Sequence, residues 1–318
     1  MDWSAVLNEA AKYTDPLQKL NPKYVQEMQG VADGAGVTFL DVVALNVRTE
    51  IIFGLVAQNP AEPVPMDGCT SLAWMTEHGT RMFLGQNWDW MKEQSPNLIV
   101  CHISQSDSDI PDISMITEAG VIGKIGLNSL GVGVCLNAIR ARGVDSSKLP
   151  IHLALRSVLE SKTMGQAVES VKKVGTAGSG HILVADPTGA VGLECTSRGV
   201  LELHMDDKQR ILHTNHFLLH HPDEDKSPWL SDSLNRLSRI GHLLDDLTSS
   251  QSPEVGIREA FADEDDYPGS INRRQVGGSE SETLFNIIMD LGKKEASLTV
   301  GRPTEATGHV KLKFALES

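Results

Sequence analysis

A change of period near residue 70 constrains this chain most. From Trp3 to about Val31 the apolar residues recur at helical spacing, at Val6, Ala10 and Tyr13 and then at Tyr24, Met28 and Val31 after Asn21-Pro22, which predicts two amphipathic helices. A third helix is expected over 39–52, behind a capping Thr38. The stretch 58–65 then places Pro60, Pro63 and Pro65 close together and reads as an exposed connector, because proline neither continues a helix nor donates a backbone hydrogen bond. Beyond it the segments are short and apolar or alternating, which predicts strands over 71–76, 82–86, 98–104, 113–117, 121–127 and 132–137. Helical spacing returns over 150–159 and 164–174. Strands follow over 181–185, 191–195, 200–204 and 211–214, with a turn at Asp186-Pro187-Thr188-Gly189. Helices over 229–247 and 253–261 precede final strands over 284–290, 296–300 and 310–314. Strands in runs and helices in runs mean an α+β fold with largely antiparallel sheets and helices packed outside them.

Composition removes several function classes. Lys and Arg number 28 against 42 Asp and Glu, a net charge of −14, which repels phosphate backbones and anionic lipid surfaces, so neither nucleic acid nor membrane is expected as a partner. No apolar run approaches the roughly 18 residues of a transmembrane helix, and Met1-Asp2-Trp3-Ser4 lacks the basic region of a signal peptide; the expected location is the cytoplasm. Cys69, Cys101, Cys135 and Cys195 are far apart with no CxxC pair, which argues against structural zinc and a disulfide scaffold. The last three lie in apolar strands and are expected as buried, inert thiols.

Cys69 stands apart, in Asp67-Gly68-Cys69-Thr70-Ser71 at the junction of connector and first strand. If the chain is cut before it, Cys69 gains an α-amine with a pKa near 7.7–8, so nucleophile and base share one residue. The plain alternative is a small hydrophobe opening a strand. Gly85-Gln86-Asn87-Trp88-Asp89-Trp90 is read as closing the second strand, with Asp89 orienting that amine and Trp88 and Trp90 walling a pocket, or else as an aromatic turn. Asn215, in His213-Thr214-Asn215-His216, offers a side-chain N–H to an oxyanion. A metal site built on His213, His216 and His220 would need a helix where the pattern begins as a strand, so none is expected. The glycine-rich 120–134 lacks a nucleotide-loop motif and reads as a tight hairpin, with Asn128-Ser129 at or near its turn. The acidic run 263–266 lacks EF-hand spacing and reads as a solvated face.

Eight segments in order carry a resemblance: Asp67-Gly68-Cys69-Thr70, Gly85-Gln86-Asn87-Trp88-Asp89, Ile116 to Lys124, Gly126-Leu127-Asn128-Ser129, His213-Thr214-Asn215-His216, Phe261 to Asp265, Leu284-Phe285-Asn286-Ile287-Ile288 and Gly301-Arg302-Pro303. Across about 21–314 the chain resembles the fungal acyl-CoA:6-aminopenicillanic acid acyltransferases, also called isopenicillin N acyltransferases. The resemblance implies an N-terminal nucleophile hydrolase, a four-layer αββα sandwich that cuts itself between Gly68 and Cys69. It implies residues 1–68 as a helical segment and 69–318 as the catalytic chain, together forming one αββα domain. Cys69 would then be cleavage site and nucleophile, Asp89 would position its reactive end, and Asn215 would donate to the oxyanion. A thioester on Cys69 would pass to an amine or to water. No bound cofactor is implied; acyl-CoA enters as a candidate acyl donor, a small amine as acceptor, and the cleaved N-terminal segment as a partner.

Three departures accompany this. The family's first strand and following helix have no counterpart before Met1, so either a shortened form or an incomplete gene model is expected. The chain ends Leu316-Glu317-Ser318 rather than in a peroxisome-targeting tripeptide. Glu280 stands where the family carries an arginine, which should disfavour an anionic substrate and makes Glu280, with Trp88 and Trp90, a substrate-binding candidate. The competing reading is a non-catalytic, unprocessed scaffold; a conventional cysteine peptidase is a third.

Overall fold

The computed structural model describes residues 1–55, 68–76, 79–105, 108–222, 224, 229–247, 252–277 and 279–314. The connector over 58–65, with Asp67, lies outside the described residues.

The N-terminal region forms α1 (Trp3–Ala11), α2 (Thr14–Leu20), α3 (Pro22–Ala35) and α4 (Phe39–Asn46). The two helices expected before Val31 are three: Pro16 lacks the N–H that would continue α1 onto the Lys12 carbonyl, so the chain restarts at Thr14. Asn21 caps α3 by accepting from Lys23 N, with Pro22 at the first position. Thr38 and Asp41 form a capping box on α4. The third expected helix ends at Asn46 instead of continuing to Ile52, and Glu50–Leu55 form a wider π-helical turn. Asn46 is drawn sideways there: Nδ2 donates to Gly120 O at 2.8 Å and Oδ1 accepts from Ile122 N at 3.0 Å.

Among the described residues thirteen strands make two sheets. The first has the order β10-β1-β2-β11-β12-β13, with β1 (Thr70–Thr76), β2 (Arg81–Trp90), β10 (Arg210–His213), β11 (Glu282–Asp290), β12 (Glu295–Val300) and β13 (Gly308–Lys313). The second runs in sequence order through β3 (Leu98–Ile103), β4 (Ile113–Glu118), β5 (Ile125–Asn128), β6 (Gly133–Asn137), β7 (Gly180–Asp186), β8 (Gly189–Thr196) and β9 (Gly199–His204). Every ladder within the sheets is antiparallel.

Helices α5 (Ile151–Leu159) and α6 (Met164–Val174) cover the seven-stranded sheet, while α7 (Ser233–Asp245) and α8 (Pro253–Phe261) cover the six-stranded one. The sheets face each other through β1 and β2 on one side and β6, β7 and β8 on the other, which completes four layers, α, β, β, α. One buried apolar cluster runs between the sheets and into α1–α4, so the N-terminal helices share the main core.

Two local expectations change. β2 extends to Trp90 rather than closing at Gln86, because β11 pairs along it as far as Glu282↔Trp90. Of the expected strand over 121–127 only Ile125 onward pairs; Val121 to Lys124 turn, since the Thr117 hydroxyl and the Glu118 carbonyl bind back to Val121.

Candidate active site

Cys69 enters β1 beside the end of β2, where Thr70 pairs with Asn87. Alternation along β1 turns Thr70 toward α7 and Ser71 toward β6; the Thr70 hydroxyl meets Arg236 at 3.1 Å, and Ser71 Oγ donates to Asn137 Oδ1 at 2.6 Å. The Cys69 side chain is fully buried in the inter-sheet cluster that contains Trp88 and Trp90. Its carbonyl oxygen is held from both sides, by Arg236 Nη1 at 2.8 Å and by Asn137 Nδ2 at 3.2 Å.

Asn215 follows β10, the strand that pairs with β1. Its Oδ1 accepts from Arg236 Nη2 at 2.9 Å, its backbone N–H donates to Ser233 Oγ at 2.9 Å, and one hydrogen of Nδ2 goes to Ala138 O at 3.0 Å. Among the described residues Nδ2 has that one acceptor, so its second hydrogen has no partner there.

Asp89 is fully buried near the end of β2. Thr283 Oγ1 donates to its Oδ1 at 2.6 Å, and Arg273 Nε lies 3.5 Å from Oδ2. Arg273 Nη2 pairs with Asp232 at 2.6 Å, and Asp232 also pairs with Arg236 at 2.9 Å. Two carboxylates and two guanidiniums therefore balance in the interior, the condition under which buried charges persist. Burial raises the Asp232 carboxyl, but Arg236 and Arg273 outweigh it and hold it below the usual carboxylate range. The Arg273 guanidinium lies against Gly68: a Cβ there would sit 2.3 Å from Nε, so only glycine admits this approach.

Trp88 stacks between Phe285 and Trp90, at centroid distances of 5.3 and 6.2 Å. With Phe53 and Ile52 from the N-terminal segment and Ala138 from the stretch after β6, the indoles line a narrow cavity between the two parts of the chain. Lys124 lies 4.2 Å over the Trp88 ring and 3.0 Å from Glu118. Burial raises the Glu118 carboxyl, but Arg48 and Lys124 prevail and keep it well below the usual range.

Cys69, Asp89 and Asn215 thus converge through Arg236, Asp232 and Arg273. Glu280 is exposed, one residue beyond Ser279, whose hydroxyl meets Arg273 Nη1 at 3.4 Å. Gln86 and Asn87 serve the fold: Gln86 bonds both backbone groups of Leu136 across the sheets, and Asn87 donates to Phe261 O and Ile271 O. Burial pushes the Cys195 thiol up to about 12 and raises Cys135 well above its ordinary value; Cys101, on the edge strand β3, is only half-buried. Arg236, Asp232, Arg273, Asn137 and Thr283 were missed by sequence reasoning. The signal available was Arg236 and Asp232 at helical spacing i, i+4, which looks the same on any solvated helix. No group of three or more His, Cys, Asp or Glu among the described residues is arranged to hold a metal ion, and no described helix is long and apolar enough to cross a membrane.

This layering of helices outside two facing antiparallel sheets is the fold of the N-terminal nucleophile hydrolases. Solved structures share it: a Caenorhabditis elegans N-acylethanolamine-hydrolyzing acid amidase ortholog (17% identity, TM-score 0.54, 70% of this chain and 93% of that one) and a conjugated bile acid hydrolase from Clostridium perfringens (14%, 0.55, 77% and 92%). Residues 74–305, which include Asp89 and Asn215, match the family model of acyl-coenzyme A:6-aminopenicillanic acid acyl-transferase, and the chain belongs to that family. It is 41% identical over 289 residues to the 40 kDa form of the Emericella nidulans acyl-coenzyme A:6-aminopenicillanic-acid-acyltransferase, covering 89% of this chain and 76% of the relative. It is also 24% identical to a Drosophila melanogaster beta-alanyl-dopamine/carcinine hydrolase, covering 92% and 79%. The expected family and fold class are borne out.

Proposed function

We propose that this chain cuts itself between Gly68 and Cys69 and then carries an acyl group as a thioester on Cys69, delivering it to a small amine or to water. The observation that carries this reading is the convergence of Cys69, Asp89 and Asn215 on one charge-balanced cluster, with Arg273 over the Gly68 backbone. In self-cleavage the thiol attacks the Gly68 carbonyl carbon, the Gly68–Cys69 C–N bond breaks, and the nitrogen takes a proton to become the Cys69 α-amine. Water then hydrolyses the Gly68 thioester, releasing a carboxylate at Gly68 and restoring the thiol. Residues 1–68 and 69–318 remain associated as two chains of one domain.

In turnover the α-amine takes the thiol proton while sulfur attacks the acyl donor, the donor's leaving group departs protonated, and the thioester forms. Asp89 orients the amine, and the second Nδ2 hydrogen of Asn215 stabilises the tetrahedral oxyanion. The names of the relatives supply both fates of the thioester, transfer in the acyl-CoA:6-aminopenicillanic acid enzyme and hydrolysis in the beta-alanyl-dopamine/carcinine hydrolase. Trp88 and Trp90 wall the acyl side, acyl-CoA acts as donor with no resident cofactor, and exposed Glu280 disfavours an anionic group near the Arg273 turn. A cytoplasmic location belongs to the same reading, in keeping with four cysteines that form no disulfide framework.

The test is the intact mass of the purified protein under denaturing conditions. Wild type is expected as two chains, 1–68 and 69–318, while Cys69→Ala is expected as one full-length, inactive chain. Turnover by Cys69→Ala, or an uncut wild type, would overturn the reading.

A further inference from the structure

The histidines behind Asn215 take no part in that chemistry, yet they are built with care. His213 ends β10 fully buried, with Nδ1 2.8 Å from Thr214 O and Nε2 2.9 Å from Glu194 Oε1. Glu194, on β8 of the facing sheet, is fully buried too and gathers three more donors: Leu218 N at 2.6 Å, Leu219 N at 3.0 Å and His221 Nε2 at 3.0 Å. All four donors lie on β10 or on the loop after it, the loop that carries Asn215. Burial raises the Glu194 carboxyl, but His213, His221 and the backbone donors prevail and hold it well below the usual range, so it is ionised. A carbonyl oxygen and a carboxylate oxygen both accept, so the two ring nitrogens of His213 each face an acceptor.

Further histidines and an arginine surround that ring. His181, on β7, stacks on His213 at 3.6 Å with an interplanar angle of 12°. Burial, and then His213, pushes His181 well below the ordinary histidine value, so it is neutral. Its Nδ1 faces Asn137 Oδ1 at 3.1 Å, and Asn137 in turn donates to Cys69 O. On the loop, burial pushes His216 down to about 4, and its Nδ1 meets Ser233 Oγ at 2.8 Å. Arg236, on α7, reaches Asn215 from the other side.

We propose that Glu194 and doubly protonated His213 form a positioning ion pair that holds the Asn215 loop and, through His181 and Asn137, the Cys69 carbonyl in the arrangement acyl transfer uses. This rests on the reading of Cys69 and Asn215 given above. Glu194→Gln keeps the shape but turns an N–H toward a donor; His213→Gln removes the charge and is the second variant should the first fail to accumulate folded.

The first readout is 15N-histidine NMR of the wild type, with His213→Gln supplying the assignment. Two protonated nitrogens on His213 at neutral pH are expected, and one would overturn the ion pair. The second is steady-state kinetics per cleaved chain, with acyl-CoA plus 6-aminopenicillanic acid and with carcinine in water. A kcat loss of about 10- to 100-fold with KM within about twofold is expected, because a supporting partner of an oxyanion donor acts in the transition state. An unchanged kcat, or a loss confined to KM, would overturn the positioning role. An inactive wild type would refute acyl transfer separately; the loop tie is then read by amide exchange, expected at least about tenfold faster at Leu218 and Leu219 in Glu194→Gln, and unchanged exchange would overturn it.

Discussion

Arg236 makes four polar contacts from one buried side chain: Cys69 O, Thr70 Oγ1, Asn215 Oδ1 and Asp232. Burial lowers its guanidinium pKa, and Asp232 opposes that shift without cancelling it. Arg236→Met leaves the Asp232 charge with Arg273 alone and strands two buried acceptors, so a stability loss of about 3–5 kcal/mol is expected, read as a lower denaturant midpoint. Gly68 is constrained by contact rather than by charge. In Gly68→Ala the new Cβ collides with an Arg273 pinned between Asp89 and Asp232, so self-cleavage followed by mass is expected to slow at least about tenfold, a shift of an ångström at a reacting bond being worth that much. Cleavage at the wild-type rate would show that Arg273 does not seat the junction.

Among the elements, the turn after α4 carries the clearest pH dependence. Glu50 is fully buried on the π-helical turn, and its Oε1 accepts from Ile151 N at 2.8 Å at the start of α5. Burial is the main cause that pushes its carboxyl from 4.5 up to about 8. Below pH 4.5 folded and unfolded chains both hold the proton, and Glu50 has no pH-dependent cost. Between 4.5 and 8 the unfolded chain releases a proton that the folded chain keeps, so stability declines, and above about 8 the penalty is complete. Glu50→Gln keeps the acceptor for Ile151 and cannot ionise. Its Tm is expected to match wild type near pH 4.5 and to exceed it by a margin that grows through pH 8; a margin independent of pH would rule out a neutral Glu50.

At the scale of the whole molecule, the N-terminal helices belong to the main core although they precede the proposed cleavage site. Tyr24 OH donates to Glu160 at 2.8 Å, Glu27 pairs with Arg156 at 2.7 Å, and Phe53 packs against Trp90 and Trp229. Residues 1–68 are therefore expected to co-elute with 69–318 in gel filtration after cleavage and to part only in denaturant, since the shared interior is apolar and continuous. Elution of a separate 69–318 chain in native buffer would contradict this.

Element order and fold class were legible before any coordinates, because periods of 3.6 and 2 record which face of each segment is buried. Cys69, Asp89, Trp88 and Asn215 were singled out through short ordered motifs that resemble a known family, and the structure adds that Cys69, Asp89 and Asn215 meet on one buried charge cluster, while their roles stay with the proposal. The boundaries at Lys12, Asn46 and Trp90 were not legible, because each is set by a partner far along the chain or by one missing N–H. Nor was the ring of charge around the site. Asp232 at the N-cap of α7 and Arg236 on it, Arg273 before β11, and Glu194 and His181 on the second sheet are separated from Cys69 by more than a hundred positions, and nothing local distinguishes them from solvated surface residues. Local sequence determined which groups can react and which elements carry them. Only the stacking of two sheets decided which charges face one another in the dry interior, where an unpaired ion is too costly to keep.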